Sequence, residues 1–109
     1  PSRNFTSVFY QVDDTYKEVH EGAGHWANLT ARYLGQAMET THTSVEKDYE
    51  LLTYNLGVLE HSGMPGILVE ASFYSNPAER ERLKDWKYLE AEARAIFSGF
   101  VAYLKSIEG

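Results

Sequence analysis

The 109-residue sequence contains no cysteine, few basic residues and no long apolar run. Without cysteine, neither a disulfide nor a thiolate metal site is possible. Ten Lys and Arg against sixteen Asp and Glu give a formal net charge of −6. This charge disfavours binding to nucleic acid and to an anionic membrane surface, because both partners need a basic face. No apolar stretch approaches the roughly 20 residues that cross a bilayer, so membrane insertion is not expected.

The residues that are present favour a small globular unit. Hydrophobic residues make up 43% of the chain and aromatic residues 14%, which is enough for a core. At this length the core is thin, because a short chain buries a smaller fraction of its surface. The chain begins at Pro1 without an initiating Met, and we expect it to be a fragment of a larger domain.

The first two thirds of the chain predict two strands and one clear helix. Residues 5–12 are rich in β-branched and aromatic side chains, which is typical of a strand. Apolar residues recur at helical spacing over residues 24–38. We expect a polar surface loop at residues 40–44 and a short strand or a single helical turn within residues 49–59. Residues 67–74 predict the strongest strand, and its continuous apolar run suits a strand covered by helices on both faces.

The last third predicts two helices. Asn76 can cap the first, Pro77 fits its first position, and Glu79 is spaced as a capping-box partner; this helix ends near Leu83. A longer helix is predicted over residues 87–107. Its core-packing face is predicted to contain Leu89, Ala93, Ile96, Phe97, Phe100, Leu104 and Ile107. The order of elements indicates an α/β fold with a mixed or parallel sheet and helices on both faces.

Glu70 is the candidate catalytic residue. It lies within the apolar strand, where a buried charge is costly unless it is paired, hydrogen-bonded or bound to metal. Strand alternation places Glu70 on the same face as Leu68 and Ser72. It also lies near the carboxyl end of the strand, where ligands bind in open α/β sheets. The alternative is a glutamate on an edge strand that faces water, and position alone does not choose between the two.

The four histidines are weaker candidates. A metallopeptidase helix needs two His at i and i+4, whereas His20 and His25 are five positions apart and would point roughly 140° from each other on a helix. A metallopeptidase built on this pair would lose its metal in the His25→Ala variant. His42 lies in a polar segment and His61 beside a glycine, and both are expected to be solvated. A Ser nucleophile lacks the Gly-x-Ser-x-Gly elbow.

Two segments resemble the closing signature of the zinc-dependent N-acetylmuramoyl-L-alanine amidases. Residues 55–59 read N-L-G-V-L, and residues 64–79 read M-P-G-I-L-V-E-A-S-F-Y-S-N-P-A-E. The family pattern is N-L-x-V-L followed by M-P-A-x-L-V-E-x-G-F-x-S-N-P-x-E. Gly66 and Ser72 depart from that pattern by small-residue changes. Residues 4–10, which read N-F-T-S-V-F-Y, also resemble the corresponding strand sequence of the family.

The resemblance implies one α/β domain with a single zinc ion bound by two His and one Glu. It implies hydrolysis of the amide between the lactyl group of N-acetylmuramic acid and the L-alanine of the stem peptide. The glutamate that ends the family's L-V-E strand corresponds to Glu70, which would act as the general base. Peptidoglycan as the substrate implies a location outside the cytoplasm, in the periplasm or cell wall.

The family's metal-binding motifs are absent from these 109 residues. They are a D-P-G-H-G-G-like motif, a Glu and an S-x-H-x-N-like motif, all upstream of the signature, and none of the four His matches them. We therefore expect residues 1–109 to be the C-terminal half of the catalytic domain. Alone, this half is expected to be inactive, to lack the catalytic zinc, and to be marginally stable or to associate through open strand edges.

A second function is compatible with the same residues. A non-catalytic cell-wall-binding relative would have kept the fold and lost the metal site. The coding sequence upstream discriminates between the two, because only the enzyme requires the His, Glu and His motifs there.

Overall fold

The computed structural model describes residues 3–40 and 42–108, which form a mixed three-stranded sheet with helices. Strand β1 (Thr6–Tyr10) is central and pairs in parallel with β2 (Thr43–Lys47). On its other side β1 pairs antiparallel with β3 (Leu68–Glu70). This mixed sheet confirms the predicted α/β class.

Five helices connect and follow the strands within the described residues. They are α1 (Ala23–Met38), α2 (Asp48–Leu52), α3 (Gly57–Glu60), α4 (Pro77–Arg82) and α5 (Trp86–Glu108). Helix α1 packs on both β1 and α5, so it lies between the sheet and the last helix. None of the helices in this part of the chain has the length and apolarity needed to cross a membrane.

The core lies between the sheet and α1. The register aligns Val45, Val8 and Val69 across the three strands, which places their side chains on one face. The buried members of the core are Val8, Ala27, Ala31, Leu34, Met38 and Ala95. Because all three valines pack in this cluster, the sheet face that carries them is the one that α1 covers.

Helix α5 approaches α1 through small residues. A Cβ atom added to Gly99 would lie 2.7 Å from the Thr30 Cα atom, so the two backbones come too close for any side chain at this position. Gly99 is buried together with Ala95 and Tyr103, which precede and follow it by four residues on the same helical face. The α1–α5 contact is therefore made by this face.

The predicted core face of α5 is wrong for most of its members. Ile96 is half-buried, but the other residues predicted to pack are exposed: Leu89, Ala93, Phe97, Phe100, Leu104 and Ile107. The physical reason is the close approach at Gly99, which selects the face with small side chains and turns the bulky ones outward.

Three other predicted segments differ from the structure. The predicted loop at residues 40–44 is wrong at Thr43 and Ser44, which begin β2 because β1 lies alongside and supplies hydrogen bonds; residue 41 lies outside the described residues. Within residues 49–59 the helical alternative is correct and the strand alternative is wrong. The predicted strand at residues 67–74 is limited to Leu68–Glu70. The backbone beyond Glu70 is bound by the side chains of Thr6 and Asn4.

Candidate functional site

Glu70 ends β3, at the edge of the described sheet. The register places it opposite Ser7, on the sheet face that also carries Leu68 and lies opposite to Val69. The predicted alternation with Leu68 is confirmed. Of the two alternatives for Glu70, the structure shows the edge-strand glutamate that faces water, because its side chain is exposed. In the described residues β3 has a strand on one side only, which leaves its end open to solvent.

The backbone that follows Glu70 is bound to the start of β1 by two polar side chains. The Thr6 hydroxyl donates a hydrogen bond to the Ala71 carbonyl oxygen over 2.7 Å. The Phe73 amide donates to the Asn4 Oδ1 atom over 3.0 Å. These bonds replace a continued strand ladder and fix the chain immediately after the candidate catalytic carboxylate.

A fully buried carboxylate, that of Glu79, extends this anchoring to the helices. It accepts hydrogen bonds from the Asn4 side-chain amide group over 3.1 Å and from the Tyr88 hydroxyl over 2.6 Å. The Arg82 guanidinium lies 3.3 Å from its Oε1 atom. The Arg82 guanidinium also donates to the Met38 carbonyl oxygen at the end of α1, and the Tyr88 hydroxyl oxygen lies 3.1 Å from the same carbonyl oxygen. One buried charge therefore links β1, α1, α4 and α5.

The helix cap at Asn76 is confirmed, but the predicted capping box is wrong. The Glu79 amide donates to the Asn76 side chain over 2.9 Å, as predicted for an N-cap. The Asn76 amide donates to the Phe73 carbonyl oxygen. The Glu79 side chain turns inward instead of back to Asn76, because Asn4, Tyr88 and Arg82 lie on the interior side and offer three partners.

Burial and the negative charge of Glu79 raise the pKa values of two neighbouring groups, Tyr88 and Glu92. Burial raises the pKa of the Tyr88 phenol well above its usual range, and its hydrogen bond to Glu79 raises this pKa further. Tyr88 therefore remains a protonated donor. Burial also raises the pKa of the Glu92 carboxyl, with a smaller contribution from the negative charge of Glu79.

The raised pKa of Glu92 predicts a pH-dependent effect of Glu92→Gln. The folded state holds the Glu92 proton more tightly than the unfolded state, so the carboxyl stabilises the fold at acidic pH and loses this contribution as pH rises through its folded-state pKa. We expect Glu92→Gln to raise the melting temperature at pH 7 and to change it little at pH 3.5. Glu21→Gln, at an exposed position, is the control and is expected to have no such pH dependence. An equal effect of Glu92→Gln at both pH values would contradict the prediction.

The carboxylate of Asp48 is also fully buried, and hydrogen bonds compensate for the burial of its charge. It accepts hydrogen bonds from the Val12 and Leu56 amides, each over 3.0 Å, and from the Asn55 side chain. Asn55 also donates to the Val12 carbonyl oxygen over 2.8 Å. Asp48 therefore joins the segment after β1 to the start of α3. No local sequence pattern marks Asp48 as buried, because one of its partners, the Val12 amide, lies 36 residues earlier in the chain.

The structure does not bring the histidines together as a metal site. His25 is exposed on α1 with its ring centroid 6.5 Å from that of Tyr103. His42 stacks on Phe5 at 4.6 Å, and His61 is exposed at the end of α3. Across residues 3–40 and 42–108, no three His, Cys, Asp or Glu side chains lie close enough to hold one metal ion. The described residues therefore do not by themselves fit a zinc ion.

Comparison with known proteins identifies related sequences. A family model described as N-acetylmuramoyl-L-alanine amidase matches residues 1–102. The N-acetylmuramoyl-L-alanine amidase LytC of Bacillus subtilis is 34% identical over 59 residues. Those residues are 54% of this chain and 12% of LytC.

Three solved structures share the fold. The catalytic domain of CwlV, an N-acetylmuramoyl-L-alanine amidase from Bacillus (Paenibacillus) polymyxa, has a TM-score of 0.75 and 24% identity, covering 96% of this chain and 51% of that one. The CwlD amidase of Clostridioides difficile, solved with the GerS lipoprotein, gives 0.74 and 22%, covering 94% and 47%. AmiC2 of Nostoc punctiforme gives 0.68 and 24%, covering 96% and 51%. This chain thus spans about half the length of each.

Proposed function

This chain belongs to the N-acetylmuramoyl-L-alanine amidase family, and on that premise we propose that it is the C-terminal half of a peptidoglycan hydrolase domain. The reaction is hydrolysis of the amide between the lactyl group of N-acetylmuramic acid and the L-alanine of the stem peptide. Glu70 is the catalytic carboxylate. The observation that carries this proposal is the family match over residues 1–102, which includes the L-V-E and S-N-P-A-E segments around Glu70.

The position of Glu70 supports a role in proton transfer. Its side chain is exposed on the sheet face that α1 does not cover, so a substrate can reach it. The backbone directly after it is held by Thr6 and Asn4, which limits its movement. A carboxylate so placed can take a proton from the attacking water and return it to the alanine nitrogen as the carbon–nitrogen bond breaks.

The family resemblance implies a zinc ion, and the described residues do not supply a site for it. We propose that its ligands belong to an N-terminal half of the same domain. Both edge strands of the described sheet, β2 and β3, have a free side, and continuation of the sheet beside β3 would bring that half next to Glu70. A peptidoglycan substrate also implies that the protein acts outside the cytoplasm.

The test is an assay of the product of the complete open reading frame on purified peptidoglycan. Cleavage of this amide releases a free amino group on L-alanine, which N-terminal labelling measures directly. We expect release of L-alanine amino termini, its loss after chelation, and its recovery with zinc. Residues 1–109 alone are expected to release none. Binding to peptidoglycan without new amino termini would overturn the proposal and favour a non-catalytic wall-binding protein.

A further inference from the structure

The backbone directly after Glu70 keeps the register of the sheet, but through side chains. The antiparallel pairing of β1 with β3 ends at Glu70. Continued by one residue, this register places Thr6 opposite Ala71. Continued by three residues, it places Asn4 opposite Phe73. A hydrogen bond is present at both positions, and in both a side chain of the earlier segment takes the place of the backbone group of an ordinary ladder.

Thr6 holds this backbone from the side of the sheet that α1 covers. It is fully buried and alternates onto the same face as Val8. Its hydroxyl donates its only hydrogen to the Ala71 carbonyl oxygen, so it is the acceptor in its 2.7 Å contact with the Thr40 hydroxyl. Ala71 itself packs against the core cluster. The chain after Glu70 is therefore tied to the α1 side, while the Glu70 side chain lies on the opposite face.

Asn4 holds the same backbone with an amide group whose orientation is fixed. Its oxygen accepts from the Phe73 amide, and its nitrogen donates to the Glu79 carboxylate. A backbone N–H can only donate and an ionised carboxylate can only accept, so the two ends of the Asn4 amide cannot be exchanged. Glu79 is fully buried and is held in turn by Tyr88 and Arg82. The buried carboxylate therefore orients Asn4 toward Phe73.

We propose that Thr6 and Asn4 are positioning residues for the catalytic carboxylate of Glu70, with Glu79 acting through Asn4. This inference rests on the proposed role of Glu70 as the general base. The Glu70 side chain is exposed, so the place of its carboxylate depends on the backbone that carries it. A shift of about 1 Å in a reacting group can cost about 100-fold in rate. The two hydrogen bonds therefore contribute to turnover without either side chain touching the substrate.

The first test is Thr6→Val in the product of the complete open reading frame, assayed on a soluble muramoyl peptide. Valine keeps the shape of threonine but cannot donate to the Ala71 carbonyl oxygen. We expect kcat to fall by about 10-fold, with KM and zinc content unchanged. Thr6→Ser keeps the hydroxyl and is expected to restore most of the turnover. Asn4→Ala, which removes the bond to the Phe73 amide, is expected to lower kcat in the same way.

The control for these variants is Thr30→Ala. Thr30 is as buried as Thr6, but it lies on α1, and its hydroxyl has no hydrogen-bond partner within the part of the chain that the structure describes. This variant measures the effect of losing a buried hydroxyl far from the segment after Glu70. We expect its kcat to equal that of the parent enzyme. A loss of kcat as large as that of Thr6→Val would overturn the proposal.

A double-mutant cycle separates positioning from a general effect on the fold. Thr6→Val is expected to lower kcat when Glu70 is present and to have no further effect in the Glu70→Gln background, because no base remains to be positioned. Equal losses in the two backgrounds, or an effect on KM alone, would overturn the positioning role and leave the proposed function intact. Full turnover in Glu70→Gln would overturn the proposed role of Glu70 and this inference with it.

Discussion

Glu70→Gln in the complete enzyme is expected to lower turnover on peptidoglycan by about 100-fold or more, with zinc content unchanged. The physical reason is that glutamine matches the size of glutamate and can hydrogen-bond water, but it cannot accept the proton of the attacking water. Losing a general base typically costs 10²- to 10⁴-fold. Glu70→Ala is expected to give a loss of similar size. Because Glu70 is exposed, neither change should affect folding.

The matched control for this prediction is Glu46→Gln. Glu46 lies in β2 and pairs with Phe9 of β1. It is on the same sheet face as Glu70, but at the opposite edge of the described sheet. This variant is expected to keep its activity. Release of L-alanine amino termini and metal analysis of the same preparation provide the two readouts. Unchanged hydrolysis in Glu70→Gln would remove Glu70 from the mechanism while leaving the family assignment intact.

Glu79→Ala is expected to lower the free energy of unfolding by about 2–4 kcal/mol, because a buried polar group left without its partner costs about 1–3 kcal/mol and Arg82, the charged partner, is only partly buried. The substitution leaves Arg82, Tyr88 and Asn4 without the carboxylate that each of them contacts. It also loosens the connection between β1 and three helices. Urea denaturation of the variant and the parent protein measures the effect.

The control for Glu79→Ala lies two residues away on the same helix. Glu81 pairs with Lys84 at the surface, where both side chains are 69% exposed. An exposed ion pair contributes about 0–1 kcal/mol. Glu81→Ala is therefore expected to change stability by less than about 1 kcal/mol. Equal losses in the two variants would show that the buried network adds nothing beyond an ordinary helix position.

The local elements were predictable because their signals are local. Helix α1 follows from apolar residues at helical spacing, and the start of α4 follows from Asn76 and Pro77, whose effects act within one turn. Strand β2 was missed because Thr43–Lys47 becomes a strand through pairing with β1, more than thirty residues earlier. Strand β3 was predicted too long because Thr6 and Asn4 bind the backbone after it.

The sequence by itself determined the α/β class, the family and the candidate role of Glu70. The reason is that periodic apolar residues and an ordered motif can be recognised from the order of the residues alone, without any knowledge of tertiary contacts. Only the tertiary structure decided that Glu70 is exposed, that Glu79 turns inward, and which face of α5 packs. Each of these depends on residues that are distant in the sequence. Glu70 is exposed because it ends an edge strand, Glu79 turns inward because three polar partners lie there, and the packed face of α5 is set by the close approach of two helices at Gly99. Helical spacing groups side chains by face, but backbone distance selects the face that is buried.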